Sequence, residues 1–341
     1  MATVLEKGTA LLEVNNLHLT TSQSVNKRNI LNGVSFKIRR GERVGLVGES
    51  GSGKSLTMRS IIGLLPKGIE RTEGYVRVGT RETTAFESAK IARGSEVAMV
   101  FQDALTALDP LMRVGQQLHE VRRTHFSAET KKVRTEKIIE LLAEVGIDDP
   151  ERCMRSYVHQ LSGGLRQRCL IALALAAEPL ILLCDEPTTA LDVVVQNQII
   201  RLLERLSANR GVTIVFVSHD LRLVADFCER IIVMYDGEIV ESGPTATVLN
   251  TPRHPYVQAL KRALPDPDVR YPTLEGIPGV PPNLQVHRSG CSFKERCRYA
   301  EESCQVGTVT LQEFEDTRLV RCLFPLTYSN ADIGISKGEN I

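Results

Sequence analysis

The sequence predicts an α/β fold built around a parallel sheet, with an antiparallel β portion at its start. Three observations predict it. Residues 44–47, 180–184 and 212–218 are short, almost unbroken apolar runs, the composition of strands buried on both faces. Residues 55–65, 127–147, 165–177 and 193–208 carry apolar residues at helical spacing. These helices alternate with the strands, as they do when a parallel sheet is covered by helices.

In chain order, residues 12–14, 17–19 and 34–38 read as strands of the antiparallel portion. Val44-Gly45-Leu46-Val47 runs directly into a glycine-rich turn, and the helix that follows is predicted to stop at Pro66. Ile138, Leu141, Leu142 and Val145 share one face of the 127–147 helix, which Gly146 ends. Asp236-Gly237 between residues 231–235 and 238–241 is a two-residue hairpin signal. From about residue 251 the texture changes. Pro265, Pro267, Pro272, Pro278, Pro281 and Pro282 withhold amide donors, so 265–282 reads as a semi-rigid connector to a small cysteine-containing tail.

The 341 residues are 42 % hydrophobic and 24 % charged, enough apolar material for a sizeable core. A formal charge of +1 and only 5 % aromatic residues argue against a nucleic-acid partner. No apolar run approaches the roughly 18 residues of a spanning helix, and the first twenty residues show no secretory pattern. A cytosolic chain is therefore expected, where disulfides are disfavoured.

Gly48-Glu49-Ser50-Gly51-Ser52-Gly53-Lys54-Ser55 matches G-x-x-x-x-G-K-[ST] after a strand and before a helix. Glycines let amides close around phosphates, the helix start adds positive charge, Lys54 reaches the β and γ oxygens, and Ser55 offers a hydroxyl to Mg²⁺. Residues 180–184 lead into Asp185-Glu186, at the strand end where ligands bind. Asp185 is placed to hold Mg²⁺, and Glu186 to polarise the attacking water.

Leu161-Ser162-Gly163-Gly164-Leu165-Arg166-Gln167-Arg168 stands between these elements. With the loop and the acid pair it resembles the signature of ATP-binding-cassette (ABC) ATPases. Other cassette motifs follow in order: Gln102 in Val100-Phe101-Gln102-Asp103, the Ala190-Leu191-Asp192 turn, and His219 in Ser218-His219-Asp220. The resemblance implies a P-loop cassette over residues 1–250, with a RecA-like core, an antiparallel β portion and a helical subdomain near 103–175. It also implies a head-to-tail pair of cassettes, with ATP between one P-loop and the partner's signature. Ser162 and Gly164 would then touch the γ-phosphate held by a partner, beside Gly163 and Asp192. His219 would contact the γ-phosphate, and Gln102 would sense Mg²⁺ and the water. Two departures stand out. Leu165 replaces the common glutamine, and residues 20–30 hold no aromatic to stack on adenine, leaving Arg28 or Val25 for that place.

Cys291, Cys297, Cys304 and Cys322 form a four-thiolate set with no C-x-x-C pair, spacing that fits zinc poorly and a [4Fe–4S] cluster better. Lys294, Arg296 and Arg298 would offset a cluster's negative charge. Thr251-Pro252-x-His254-Pro255-Tyr256, Gly276-Ile277-Pro278-Gly279, Pro281-Pro282 and Gly290-Cys291-x-Phe293-x-x-Arg296-Cys297 resemble the C-terminal extension of oligopeptide, dipeptide and nickel importer ATPases. Residues 251–341 are read as that extension, whose members carry an iron–sulfur cluster. What this implies is an ATPase subunit of a peptide importer, peripheral on the cytoplasmic face of the membrane. Its partners would be a second, non-identical cassette, two permease subunits and an extracytoplasmic solute-binding protein. The alternatives are nickel, glutathione or another small solute as cargo, or a soluble ABC ATPase acting on ribosomes or nucleic acid.

Overall fold

A computed structural model describes residues 10–22, 28–79, 81–83, 93–189, 191–263, 276–281, 289–315 and 317–328. Strands β1 (Ala10–Thr21), β2 (Asn29–Arg39), β4 (Ile69–Val78) and β5 (Arg81–Thr83) form an antiparallel sheet in the order β2-β1-β4-β5. The two short runs expected at 12–14 and 17–19 are one strand. A left-handed Asn16 (φ 46°) and register shifts between Val14 and Leu17 break its alternation.

The second sheet holds β3 (Arg43–Val47), β6 (Val97–Val100), β7 (Ile181–Asp185), β8 (Thr213–Val217), β9 (Arg230–Tyr235), β10 (Glu238–Pro244), β11 (Gln312–Glu313) and β12 (Leu319–Val320). Its order is β11-β12-β10-β9-β3-β8-β7-β6, and β9, β3, β8, β7 and β6 run parallel. Alternate residues serve opposite faces. Val44, Leu46, Leu183, Val215 and Val217 face the antiparallel sheet and α1 (Lys54–Ile61). Val47, Leu182, Cys184, Ile214 and Phe216 face a second core containing the helices α6 (Gly163–Leu175), α7 (Val193–Arg210) and α8 (Leu221–Phe227). Burial on both faces is why these strands read as unbroken apolar runs.

Between β6 and β7 lie α2 (Ala104–Ala107), α3 (Val114–His125), α4 (Lys131–Glu144), α5 (Pro150–Arg155) and α6. The helix predicted over 127–147 starts later, because the Thr130 hydroxyl accepts the Val133 N–H and caps it. Gly146 (φ 81°) ends it as expected. The helix expected to stop at Pro66 ends at Ile61, ahead of a left-handed Gly63 (φ 65°).

The tail is tied to the cassette. β12 pairs with β10, so the extension lengthens the main sheet. Arg318 and Glu241 form an ion pair that is 1 % and 0 % exposed. Glu241 also accepts the Arg253 N–H at 3.1 Å and the His254 N–H at 2.7 Å. Helices α9 (Thr245–Asn250) and α10 (Pro255–Arg262) lead into this region. Most of the proline-rich stretch expected to be a connector lies outside the described residues.

Candidate functional site

β3 enters the glycine-rich loop directly, and the loop opens α1. A Cβ on Gly48 (φ 150°) would lie 2.2 Å from the Met234 carbonyl oxygen. On Gly53 (φ 101°) it would lie 2.5 Å from a Leu31 methyl. No other residue fits so near fixed backbone and core. The Asp236-Gly237 hairpin, formed as expected between β9 and β10, buttresses the loop: the Gly237 N–H donates to Ser52 O at 3.1 Å. The first amides of α1 have no intrahelical acceptor and form an anion site. The buried Lys54 ammonium donates to the carbonyls of Gly48 and Glu49, both at 2.8 Å, and to Ser52 Oγ at 3.3 Å. Burial pulls its pKa below the usual lysine range, against the opposing pull of Glu186, Asp185 and Glu49.

Across from the loop, β7 ends in the buried Asp185, whose Oδ1 accepts the Ser55 hydroxyl at 2.9 Å. Burial raises the Asp185 pKa, while the Ser55 bond, Arg59 and Lys54 hold it down and Glu186 adds to the rise. A hydroxyl and a carboxylate side by side are hard oxygen donors suited to Mg²⁺.

Glu186 has a left-handed backbone (φ 48°), with its N–H donating to Val217 O at 3.0 Å. This turn aims the carboxylate into the crevice. Its Oε2 accepts Thr189 Oγ1 at 2.9 Å and Gln102 Nε2 at 3.1 Å, and lies 3.4 Å from His219 Nδ1. Oε1 has no hydrogen-bond donor among the described residues. Gln102, Lys54, Ser55, Asp185, Glu186 and His219 are thus joined around one crevice, although their positions span most of the cassette.

The signature residues are elsewhere. Ser162 caps α6 by accepting the Leu165 N–H. A Cβ on Gly164 would stand 3.0 Å from Val195 Cγ1, and Asp192 Oδ1 accepts the Val195 N–H at 2.9 Å, so signature and Asp192 turn pack together. Among the described residues, no hydrogen bond links Ser162, Gly163 or Gly164 to the P-loop of the same chain. Val25 lies outside the described residues, and Arg28 is exposed beside Thr21, with its N–H on Thr21 Oγ1 at 3.1 Å.

Cys291, Cys297, Cys304 and Cys322 line one small cavity with His254 and Phe293, and all four are free thiols. Burial lifts the Cys291 thiol to about 11 and the Cys322 thiol to about 12, with the neighbouring cysteines adding to each rise. The four-thiolate set read from the sequence is therefore brought to one place. It is not drawn tightly together: among the described residues, no group of three or more His, Cys, Asp or Glu side chains is close enough to hold a metal ion.

Residues 31–189 match the ABC transporter family, and residues 240–304 match the C-terminal region of oligopeptide/dipeptide transporters. The chain is 42 % identical over 322 residues to the probable peptide ABC transporter ATP-binding protein y4tR of Sinorhizobium fredii, covering 93 % of this chain and 95 % of that one. It is 40 % identical over 324 residues to the dipeptide transport ATP-binding protein DppD of Escherichia coli, covering 93 % and 97 %. The chain is an ABC transporter ATPase of the oligopeptide/dipeptide family. Its fold is that of the ATP-binding cassette MJ0796, solved as a dimer in a post-hydrolysis state with ADP and Pi. The TM-score is 0.61 at 32 % identity, over 69 % of this chain and 98 % of that one.

In this ABC ATPase, several contacts at the site carried no sequence signal. Thr189 sits three residues beyond Glu186 and could have been read as a turn residue facing it. The Tyr256 hydroxyl accepts the Glu49 N–H at 2.8 Å. The Glu49 carboxylate is held by Arg296, so Glu49 faces the extension rather than the interior of the loop. The sequence singles out Arg296 for its place in the extension's Gly290–Cys297 motif and its nearness to the cysteines, neither of which points to Glu49. No helix among the described residues is long and apolar enough to cross a membrane.

Proposed function

We propose that this ATPase drives uptake of di- or oligopeptides through separate permease subunits on the cytoplasmic face of a membrane. The observation that carries the mechanism is the Glu186 carboxylate, anchored through Oε2 by Thr189 and Gln102 and open at Oε1, beside Lys54 and the Ser55–Asp185 pair. The amides of residues 48–55 and Lys54 bind the triphosphate, and Ser55, Asp185 and Gln102 would hold Mg²⁺, which neutralises charge on the phosphate oxygens. Glu186 Oε1 accepts a proton from water as the water oxygen bonds to the γ-phosphorus and the bond to the bridging oxygen breaks. His219, beside Glu186, steadies the γ-phosphate.

A head-to-tail pair with a second, non-identical cassette completes the site. Ser162, Gly163 and Gly164 present a capped helix start with no lysine of its own, and Val193 and Val194 next to Asp192 are 70 % and 67 % exposed. These exposed valines suit an interface. Leu105 and Leu111, close after Gln102, are 50 % and 86 % exposed and offer the permeases an apolar dock. An extracytoplasmic solute-binding protein would deliver cargo.

We read the extension's four thiols as ligands of a [4Fe–4S] cluster from their spacing in the sequence and the one cavity they line. They are free and surround one cavity, while a single ion would need sulfurs drawn to about 2.3 Å from it. Cys291, Cys297, Cys304 and Cys322 would ligate the cluster, which would staple the extension. Absorbance near roughly 400 nm in anaerobically purified protein, lost in Cys291→Ser, tests this; a colourless protein contradicts it.

The peptide reading rests on the relatives' names and the matched extension. Its test is uptake by vesicles containing the reconstituted permeases, binding protein and both cassettes. ATP-dependent accumulation of a labelled dipeptide is expected. Accumulation of nickel or glutathione instead, or stimulation of the ATPase by RNA and not by the permeases, would overturn it.

A further inference from the structure

The second residue of the P-loop is clamped by the extension, 247 residues further along the chain. Arg296 Nη1 donates to Glu49 Oε2 at 2.6 Å and Nη2 to Oε1 at 3.0 Å, a bidentate pair. The guanidinium is 5 % exposed and its remaining hydrogens are also placed. Nε donates to Pro278 O at 2.8 Å, and Nη1 also reaches the Tyr235 hydroxyl at 3.3 Å. The Gly276-Ile277-Pro278-Gly279 segment wraps the same side chain. A Cβ on Gly279 (φ 78°) would come within 3.1 Å of Arg296 Cγ. Phe293 packs edge-on to Tyr235 with ring centroids 5.2 Å apart, and Tyr256 holds the Glu49 amide. The second position of the loop is therefore held by charge, by backbone and by packing, all from or through the extension.

Glu49 is acidic in a loop that must accept a triphosphate. Its charge acts on Lys54, the residue the phosphates need. Left unpaired, this carboxylate would repel the nucleotide and compete for the lysine. Resting on the nucleotide-binding reading of residues 48–55, we propose that Arg296 is a positioning residue of the nucleotide site: it neutralises Glu49 and holds it outward, so that the extension sets nucleotide affinity without touching the nucleotide. Lys294 to Arg296 form one turn between Cys291 and Cys297, so the brace is built on the walls of the thiol cavity. The glycine–proline segment is then a cradle for Arg296 as well as a link.

The test is the dissociation constant of a fluorescent ATP analogue for the full-length chain, with Tm measured alongside. Arg296→Gln is expected to weaken binding about tenfold, and adding Glu49→Gln to recover most of that loss, because the repelling charge is gone. In steady-state hydrolysis, KM is expected to rise with kcat little changed. Equal affinity of Arg296→Gln and wild type, or no recovery on removing the Glu49 charge, would overturn the proposal. Should Arg296→Gln not fold, Arg296→Lys decides. A lysine keeps the charge but cannot serve both carboxylate oxygens and Pro278, so binding about threefold weaker at unchanged Tm is expected. Wild-type affinity in that variant would overturn the proposal. Failure of the wild-type chain to bind nucleotide would instead refute the nucleotide-site reading beneath it.

Discussion

Gln102 donates to Oε2 of Glu186 at 3.1 Å, although 84 residues separate them. The bond joins the loop after β6 to the end of the neighbouring parallel strand β7, so strand order in the sheet sets the distance. Thr189 donates to the same oxygen at 2.9 Å. Thr189→Val removes that donor at nearly constant shape. Turnover is expected to fall about three- to tenfold with nucleotide affinity unchanged, because the carboxylate loses orientation and not charge. Steady-state kinetics with a parallel binding titration checks this.

Gly48 has no room for a side chain, and the obstacle is the fixed Met234 carbonyl. Gly48→Ala must therefore move the loop. A strained backbone of this kind costs on the order of 1–3 kcal/mol, and nucleotide affinity is expected to fall by about a hundredfold or more. Urea unfolding and nucleotide titration report the two effects. By contrast, a Cβ on Gly51 meets nothing within 4 Å, so Gly51→Ala is opposed only by its φ of 80°.

Arg318 and Glu241 bind the extension to the cassette from within. Burial pushes the Glu241 pKa upward while Arg318 and the amides of His254 and Arg253 oppose that rise. Arg318→Met leaves a buried carboxylate short of its partner and is expected to cost about 3–5 kcal/mol. Arg318→Met with Glu241→Gln should cost less than the sum of the two single changes. The recovery is partial, because the Arg253 and His254 amides lose a charged acceptor. Chemical denaturation of the four chains measures the coupling.

In the helical block, hydrogen bonds from Arg122, then Lys137, hold the Glu129 carboxyl down at about 2. A folded-state pKa below the unfolded value gives stability that is present above the unfolded pKa and lost as pH falls towards the folded one. The stability gap between wild type and Glu129→Gln is expected to be on the order of 1–2 kcal/mol near neutral pH. It should stay level down to about pH 5 and narrow below about 4.5. Urea midpoints at several pH values would show it; a gap that widens on acidification contradicts the assignment.

The sheet core was legible because β3, β7 and β8 are buried on both faces and read as unbroken apolar runs. The Asp236-Gly237 hairpin was legible because two successive left-handed residues (φ 49° and 75°) demand such a pair. β4 was not, since Ile69–Val78 is charged and largely half-exposed and offers no clean alternation. Nor were β11 and β12, which at two residues each carry no pattern. In the candidate site, Lys54 and Ser55 could be named from the phosphate-loop pattern and Asp185 and Glu186 from the strand end, whereas Gln102, Ser162, Asp192 and His219 are named through the resemblance to ABC ATPases. Arg296 on Glu49 and Tyr256 on the Glu49 amide could not be named, because contacts over more than two hundred residues leave no local trace. For the same reason the attachment of the tail could not be read: β12 pairs with β10, and Arg318 forms a buried ion pair with Glu241.

The account centres on Glu186 as the base that takes a proton from the attacking water. Steady-state ATP hydrolysis by the assembled complex, with wild-type chain and with Glu186→Gln, tests this most directly. Glutamine keeps the acceptor geometry for Thr189 and removes the basicity. Turnover is expected to fall by about 10²–10⁴-fold while nucleotide still binds. Undiminished turnover would contradict the account.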